Sequence, residues 1–382
     1  LDHLCKECSL TPSQLTDLAH TLVSFFYSAA VARPAQRFGE PAWVAAPALE
    51  NFEELFTLLP DEAQRLKALE AWTSAEAARC QATFARRKAE GRVREGHGDL
   101  HLGNLVLIDG RVTPFDGIEF NDDFRWNDVA SEIAFTYIDL LDHRRADLAA
   151  CFLNEWLTWS GDFGAAEVLP FYAVYRALVR AKIAGIRRDL AEAINYLDLA
   201  VRLITPPPPR LVITHGVSGS GKSRASAACL MADPAARTLR LRSDVERKRL
   251  FGFAPDAASE GRIYTLEANR RTYERLADLS EKLLAAGWSV IIDAAFLKRG
   301  ERDAFHALAR DLGIPFAILR CAAPVDELRR RLDARRNDPS EATVEVMEKQ
   351  LEWIEPLAEE ELAVVTYGAS SDYPGPSFKL TP

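Results

Sequence analysis

The sequence predicts an α/β protein in two parts, a mainly helical first half and a second domain built on a parallel sheet. Apolar residues recur at three- and four-residue spacing through most of the first half, as in amphipathic helices. After residue 210, short apolar runs alternate with helical patterns, which indicates parallel strands joined by helices. A glycine-rich stretch at 216–223 joins the first of these runs to the first of these helices. The prolines and glycine between residues 32 and 47 predict an irregular segment in the helical half.

Length and composition are those of an ordinary globular protein. The chain has 382 residues, enough for two or three domains that each bury a core. Its net charge of −9 and its pI near 5.5 argue against broad binding to nucleic acid or anionic membranes, although a local basic groove stays compatible with both values. Six cysteines are too sparse for a disulfide scaffold, and no apolar run approaches the roughly 20 residues of a membrane span. We therefore expect a cytoplasmic protein that does not bind membranes.

The stretch at 216–223 fits the P-loop pattern, with Gly216, Val217, Ser218, Gly219, Ser220, Gly221, Lys222 and Ser223 in its eight positions. Glycines let the backbone wrap a phosphate with its N–H groups, and the following helix adds its positive N-terminal end. Lys222 reaches the β- and γ-phosphates, and the Ser223 hydroxyl binds Mg²⁺. The motif predicts a site for ATP with Mg²⁺. The alternative is a Gly- and Ser-rich turn that binds no phosphate.

A second informative stretch, His97 to Asn104, precedes a predicted hairpin whose return strand ends at Asp116. Together these residues form the pattern of a kinase catalytic loop. One carboxylate, Asp99, is placed to orient or deprotonate an acceptor hydroxyl. Asn104 and Asp116 are placed to hold Mg²⁺ against the phosphates of ATP. The alternative is a turn rich in His, Gly and Asp without catalytic function.

The stretch from His97 to Asn104 resembles the HGDLHxGN signature of the aminoglycoside phosphotransferase and choline kinase group, whose fold is like that of protein kinases. The resemblance covers residues 1–205. It implies that Asp99 is the catalytic base and that Asn104 and Asp116 are the metal ligands. It also implies that Asp128 braces the catalytic loop.

The sequence departs from that group before residue 90. A kinase of this type has an N-terminal lobe of strands with a phosphate-covering loop and a phosphate-pairing lysine. The lysines before Asp99 are Lys6, Lys67 and Lys88, all in helix-like or polar segments. Because the sequence begins with Leu, we expect an upstream segment to be missing from it; a degenerate kinase is the alternative. Either way, we expect the first site to be inactive on its own.

A helical segment near residues 171–188 is basic where the resembled group places acidic side chains for cationic substrates. Its cations are Arg176, Arg180, Lys182, Arg187 and Arg188. This helix either faces an anionic acceptor or is simply a solvated surface.

Four prolines at 206–209 predict a stiff linker, which divides the chain into domains at 1–205 and 210–382. In the second domain, Asp244 and Asp293 each follow a predicted strand, at the edge of the sheet where ligands bind. The stretch 326–338 carries five arginines, including Arg331 and Arg335, and is predicted to close over the transferring phosphate. A charged surface helix is the alternative.

These features resemble the P-loop small-molecule and polynucleotide kinases, including gluconate kinase-like and zeta toxin-like enzymes. The similar residues are Ser243-Asp244-x-x-Arg247, Asp293-Ala294-Ala295 and the arginine-rich stretch. The resemblance implies that Asp244 is the base for the acceptor hydroxyl, Arg247 anchors the substrate, and Asp293 contacts magnesium or substrate. The order of the two halves resembles a bacterial family that fuses an aminoglycoside phosphotransferase-like domain to such a kinase.

The sequence as a whole predicts a phosphotransferase that moves the γ-phosphoryl group of ATP to a hydroxyl of a small-molecule acceptor. Two alternatives stay open. One is a polynucleotide 5′-hydroxyl kinase, which the acidic composition disfavours. The other is a P-loop ATPase switch that regulates the first domain, although a switch needs no base such as Asp244 beside the P-loop.

Overall fold

A computed structural model of the chain describes residues 1–259, 263–334 and 340–367. It divides into two compact units, Leu1–Pro207 and the part that begins at Pro208. This division falls inside the run of four prolines. None of the helices in the described ranges is long and apolar enough to cross a bilayer.

The first unit is mainly helical. Its helices are α1 (Asp2–Lys6), α2 (Pro12–Ser28), α3 (Pro41–Leu58), α4 (Ala63–Ala89), α5 (Asp122–Arg125), α6 (Val129–Asp142), α7 (Ala146–Ser160), α8 (Leu169–Ile186) and α9 (Leu190–Ile204). Short 3₁₀ segments lie at Pro60–Glu62, Leu102–Asn104 and Phe163–Glu167. Helix α6 is buried along nearly its whole length and packs against α7, α8 and α9. It is therefore the central helix of this unit.

The expectation of an irregular segment through residue 47 is wrong in its second half. Helix α3 begins at Pro41 and contains Pro47 in its interior. Pro41 suits the first helical turn, where its missing N–H has no intrahelical acceptor. The buried face of α3, which includes Phe52 and Leu55, packs against α4 and α8. We attribute the tolerance of Pro47 to this packing, which outweighs the local preference.

Four short strands of the first unit form two antiparallel pairs, β1 (Val93–Glu95) with β4 (Trp126–Asp128) and β2 (Leu105–Ile108) with β3 (Arg111–Pro114). In the second pair Ile108 faces Arg111, so that Asp109 and Gly110 alone make the turn. Both turn residues have positive φ, 49° and 78°. This is the turn that an Asp-Gly pair favours, and the predicted hairpin is confirmed.

The second unit holds a five-stranded parallel sheet in the order β6-β7-β5-β8-β9. The strands are β5 (Leu211–His215), β6 (Thr238–Arg242), β7 (Ser289–Asp293), β8 (Phe316–Arg320) and β9 (Val365–Tyr367). The helices are α10 (Lys222–Met231), α11 (Ser243–Leu250), α12 (Leu266–Ala285), α13 (Arg299–Asp311), α14 (Val325–Asp333) and α15 (Val344–Trp353), followed by a 3₁₀ segment at Glu359–Val364. The predicted α/β class is confirmed.

Strands β5 and β7 are buried at every position, as expected for the central strands of a sheet covered on both faces. Because all five strands run in the same direction, the segments that follow them meet at one edge. These segments are the P-loop after β5, Asp244 after β6, Asp293 at the end of β7, and Cys321 after β8. The sheet thus places the P-loop, Asp244 and Asp293 at one edge of the second unit's sheet.

Candidate active site

The loop that follows β5 has a backbone that only glycine tolerates at its first position. Gly216 has a φ of 149°, and a Cβ atom placed there would lie 2.2 Å from the carbonyl oxygen of Cys321. Gly219 and Gly221 also have positive φ, at 81° and 93°. Helix α10 then begins at Lys222, so its N-terminus points at the loop. The result is the anion-binding turn that the sequence pattern predicts.

Three side chains reach this loop from different directions. Lys222 donates from Nζ to the carbonyl oxygen of Val217 at 2.9 Å, so its ammonium lies over the loop. Arg331 on α14 approaches the carbonyl oxygen of Gly219 at 3.4 Å, and its Nε donates to Glu327 at 2.6 Å. From α15, the side-chain oxygen of Gln350 accepts a hydrogen bond from the backbone amide of Ser218 at 2.7 Å.

Arg331 and Arg335 were both predicted to close over the transferring phosphate, and Arg331 lies within the described residues. It is on the inner side of α14, beside the loop. Arg335 lies outside the described residues. The alternative of a plain surface helix fits Arg330 on the same helix, whose side chain is exposed.

Asp293 ends β7 as a buried carboxylate that lines the cavity. It is only 6% exposed, and its Oδ2 atom has no hydrogen-bond partner within the described ranges. Arg242 on the neighbouring strand has its Nε atom 3.8 Å from that oxygen. A buried carboxylate oxygen without a donor is costly unless a cation satisfies it. The Ser223 hydroxyl lines the same cavity, and both side chains carry oxygen ligands of the kind that Mg²⁺ takes.

Asp244 begins a chain of polar contacts on the first turn of α11. It faces Arg247 at 3.5 Å, and Arg247 donates from Nη2 to Asn269 on α12 at 3.0 Å. Asn269 in turn contacts Glu301 on α13 at 3.3 Å. The Nε atom of Arg247 has no hydrogen-bond partner among the residues described, although the side chain is buried. This nitrogen is itself buried, and the guanidinium lines the cavity beside Asp244.

The ring of Tyr264 covers the guanidinium of Arg247 at 4.9 Å. Burial, with a smaller contribution from the charge of Asp244, raises the pKa of Tyr264 to about 12. The phenol therefore stays protonated at neutral pH and is available as a hydrogen-bond donor.

All of these side chains line one cavity of about 1030 Å³. The lining comes from the P-loop, from the segments that follow β6, β7 and β8, and from helices α12, α13 and α15. A typical pocket for one small ligand measures about 300–1,000 Å³, so the volume of this cavity is at the upper end of that range.

Glu341, which lines the cavity, ties together three segments around it. Its carboxylate accepts hydrogen bonds from the backbone amide and the hydroxyl of Ser259, both at 2.7 Å. The ammonium of Lys248, on α11 and fully buried, lies 3.3 Å from the same carboxylate. Glu341 therefore joins the segment before α15 to α11 and to the loop that follows α11.

Four residues of this site carry no signal in the sequence. Asn269, Glu301 and Gln350 lie on α12, α13 and α15, and Tyr264 lies just before α12. Their distance from the P-loop in the sequence follows no motif, because their place in the site depends on how the chain packs around the end of the sheet.

In the first unit, the predicted catalytic loop is a compact turn around Asp99. Asn104 donates from Nδ2 to the carboxylate of Asp99 and to its backbone oxygen, both at 3.0 Å. His101 Nε2 lies 3.4 Å from the same carboxylate. Burial alone would raise the pKa of Asp99, but the hydrogen bond and charge of His101 lower it below the usual range. Asp99 is therefore held as a carboxylate.

Asp116 lies in the segment that adjoins this turn. The residue before it, Phe115, accepts a hydrogen bond from His97 Nε2 at 2.8 Å and donates from its backbone amide to Asn104 at 3.0 Å. Asp116 itself is exposed and has a φ of 59°. The structure thus brings Asp99 and Asn104 into contact. Asp116 lies two residues beyond the end of β3, in the segment that adjoins their turn.

The bracing contacts of the catalytic loop come from acidic residues that the sequence reasoning missed. Asp128 instead pairs with the buried Arg87 at 2.7 Å and caps α6 through the amide of Ala130 at 2.9 Å. Four residues later, Glu132 accepts from the amide of Gly98 at 2.8 Å, beside Asp99. Burial raises the pKa of Glu132, partly opposed by Arg176. The signal was a glutamate in the first turn of a mainly apolar helix.

The first two arginines of helix α8, Arg176 and Arg180, neither face solvent nor form an open site for an anion. Arg176 is buried, with Nε donating to Ser131 at 3.1 Å and its guanidinium over the Phe135 ring at 4.7 Å. Arg180 donates to Tyr196 at 3.1 Å and lies 3.5 Å from Asp139. Both arginine side chains therefore make their contacts with other residues of the first unit.

The parallel sheet and its glycine-rich loop define the second unit as a nucleotide-binding P-loop NTPase domain. Residues 211–357 match the family profile described as an AAA domain. The matched stretch carries the P-loop, Asp244, Asp293 and Arg331.

Two uncharacterized proteins, one of Mycobacterium tuberculosis and one of Mycobacterium bovis, are each 30% identical to this chain over 273 residues. The alignment covers 69% of this chain and 54% of each relative, so this chain spans about half the length of the curated relatives it matches. Among solved structures, a sugar kinase of Janibacter sp. is 24% identical, with a TM-score of 0.32 over 42% of this chain and 84% of its own. A gluconokinase of Sinorhizobium meliloti is 20% identical, with a TM-score of 0.30 over 42% and 83%.

Proposed function

We propose that the second unit is an ATP-dependent phosphotransferase that moves the γ-phosphoryl group of ATP to a hydroxyl of a small molecule. The observation that carries the proposal is the position of Asp244. Its carboxylate lines the same cavity as the P-loop lysine, Lys222, and it has Arg247 as its neighbour. A site that only hydrolysed or sensed ATP would not need a carboxylate and a partly unsatisfied guanidinium at this place.

Each group has a role in the proposed transfer. Backbone amides of the P-loop and the Lys222 ammonium hold the phosphates, and Arg331 offsets charge that develops as the γ-phosphoryl group moves. Asp244 takes the proton of the acceptor hydroxyl, and Arg247 holds the acceptor in line. Ser223 and Asp293 would hold Mg²⁺, which neutralises phosphate charge and orients the phosphates when bound.

Two alternatives from the sequence are less well supported by this site. A polynucleotide kinase needs a basic track that follows a strand backbone, and the chain has a net charge of −9. An ATPase switch gives no role to the chain of contacts from Asp244 through Arg247 and Asn269 to Glu301.

For the first unit we propose an aminoglycoside phosphotransferase-like catalytic loop. In this proposal Asp99 orients the acceptor, and Asn104 and Asp116 hold Mg²⁺. The contact of Asn104 with the carboxylate of Asp99 supports it, because both groups must converge on one phosphoryl group.

The test is a transfer assay with γ-labelled ATP and Mg²⁺ over panels of sugars, aminoglycosides, nucleosides and nucleotide-sugars. We expect label on an acceptor, and we expect it to depend on Asp244. The matched Asp99→Asn protein assigns the activity to a unit: transfer lost with Asp99→Asn and kept with Asp244→Asn would contradict the proposal for the second unit. Oligonucleotides with a 5′-hydroxyl test the polynucleotide alternative in the same assay.

A further inference from the structure

Exposed apolar side chains collect at the mouth of the cavity. Leu266 is 88% exposed and Trp353 is 59% exposed, the two highest values among the large apolar residues described in the second unit. Tyr264 and Val346 are 41% and 40% exposed. All four line the cavity, and they come from two elements that are far apart in sequence. Apolar surface left open at a cavity rim marks a place where a ligand is bound.

One part of this patch, at Tyr264, adjoins Arg247, the neighbour of Asp244. In the sheet, β7 and β6 lie on one side of β5 and β8 lies on the other. Asp244 follows β6, and the ring of Tyr264 covers Arg247, the neighbour of Asp244. Tyr264 is therefore part of the proposed acceptor region.

Trp353 lines the same cavity from the end of α15. The segment just after it is fixed to the start of α13. The amide of Glu355 donates to the carbonyl oxygen of Leu297 at 2.9 Å, and the amide of Arg299 donates to the Glu355 carboxylate at 2.5 Å. Two residues further along α13, Glu301 contacts Asn269, the partner of Arg247. These contacts connect the end of α15 to the helix that carries Glu301.

The polar part of the cavity complements this apolar rim. Its described lining includes seven lysines and arginines and four aspartates and glutamates, a positive excess in a chain with a net charge of −9. The cations serve phosphates, whereas exposed aromatic rings serve flat apolar groups. An aliphatic polyol would satisfy the polar groups and leave Trp353 and Leu266 in water.

We propose that the acceptor carries an aromatic ring beside its reactive hydroxyl, and that Trp353 selects this ring by stacking. The inference rests on the proposed function for the identity of the second ligand as an acceptor. Stacking of a base on an aromatic side chain is worth enough to change affinity by roughly tenfold or more. A nucleobase and a simple aryl group share this chemistry.

The test compares three ribosides with the same ribose hydroxyls: a nucleoside, phenyl β-riboside and methyl β-riboside. Binding is measured by calorimetry on the full chain with Mg²⁺ and a non-hydrolysable ATP analogue, and transfer is measured with γ-labelled ATP. We expect the ring-bearing compounds to bind at least about tenfold more tightly than the methyl compound. A preference for the nucleoside alone assigns the ring to a nucleobase, and equal binding of the phenyl compound assigns it to any aryl group. Equal binding of all three would overturn the proposal.

Variants identify the side chain. Trp353→Ala should remove the advantage of the ring-bearing compounds and leave the methyl compound unchanged, whereas Trp353→Phe should keep the advantage. Leu351→Ala, on the same helix and outside the cavity lining, is the control for helix stability. If Trp353→Ala weakened the ATP analogue instead, the ring would belong to the nucleotide and the inference would be wrong. Ring-selective binding without any transfer would contradict the proposed function and leave the ring site standing.

Discussion

The side-chain oxygen of Gln350 accepts a hydrogen bond at 2.7 Å from the amide of Ser218, inside the loop that wraps phosphate. That amide is one of the donors available to a phosphate oxygen. Gln350, on α15 and 132 residues away in sequence, accepts its hydrogen bond instead. Binding of a nucleotide at this amide therefore requires the glutamine to yield its hydrogen bond.

We predict that Gln350→Ala raises the affinity for Mg-ATP. The variant frees the Ser218 amide, and one hydrogen bond of this kind is worth about 0.5–1.5 kcal/mol, or roughly a two- to tenfold change in Kd. Calorimetric titration of the variant and of Leu351→Ala gives the comparison. A weaker affinity in Gln350→Ala would mean that the glutamine contacts the nucleotide itself.

Lys222→Ala should weaken Mg-ATP binding by roughly 10- to 100-fold, because a charge-assisted contact to the β- and γ-phosphates is lost. Lys282→Ala, an exposed lysine paired with Asp278 on α12, removes the same charge away from the cavity. Equilibrium dialysis with labelled ATP measures both. Binding by Lys222→Ala at the level of the parent protein would show that the loop is not a phosphate site.

Asp244→Asn should reduce phosphoryl transfer by roughly 10²–10⁴ with little change in ATP affinity, since only the capacity to take a proton is lost. Asp244 lies in the first turn of α11, where its charge favours the helix, so thermal unfolding of the variant is measured beside transfer. Asp256→Asn, at an exposed position outside the cavity lining, is the matched control. Normal transfer by Asp244→Asn would remove this residue from the mechanism.

The stability of the first unit should depend on the protonation of Asp142. Burial, reinforced by the charge of Asp139, raises the pKa of Asp142 to about 6. In the unfolded chain the value is near 4, so the folded state binds the proton more tightly. This contribution favours folding at low pH and is lost as the pH rises from about 4 to about 6.

Asp142→Asn should therefore stabilise the protein at pH 7.5, and the difference from the parent should vanish near pH 4. The gain is about 1–2 kcal/mol after allowance for partial solvent exposure. Thermal unfolding across this pH range measures it, with Asp17→Asn on the exposed face of α2 as the control. A gain that is the same at both pH values would exclude protonation as its cause.

Features that depend on neighbouring residues could be predicted from the sequence. The loop at 216–223 and the Asp109-Gly110 turn each need particular backbone angles, and only a few residue types accept them. The parallel sheet could be predicted because each strand and each helix shows its own pattern within a short stretch of sequence, and the two kinds of element alternate.

Features that depend on distant packing could not. Pro47 lies inside α3 because the face around Phe52 is buried, and Gln350 reaches the P-loop because of where α15 crosses the sheet edge. The carboxylates of α6 that contact the predicted catalytic loop are Glu132 and Asp139 rather than Asp128, and a motif does not resolve differences of one or more helical turns.

Glu341 holds Ser259 and the buried ammonium of Lys248 in one cluster on the wall of the cavity. Loss of the Glu341 carboxylate would leave the Lys248 ammonium buried without its counter-charge, where little water screens it. Glu341 therefore fixes the segment that leads into α15, the helix that carries both Gln350 and Trp353.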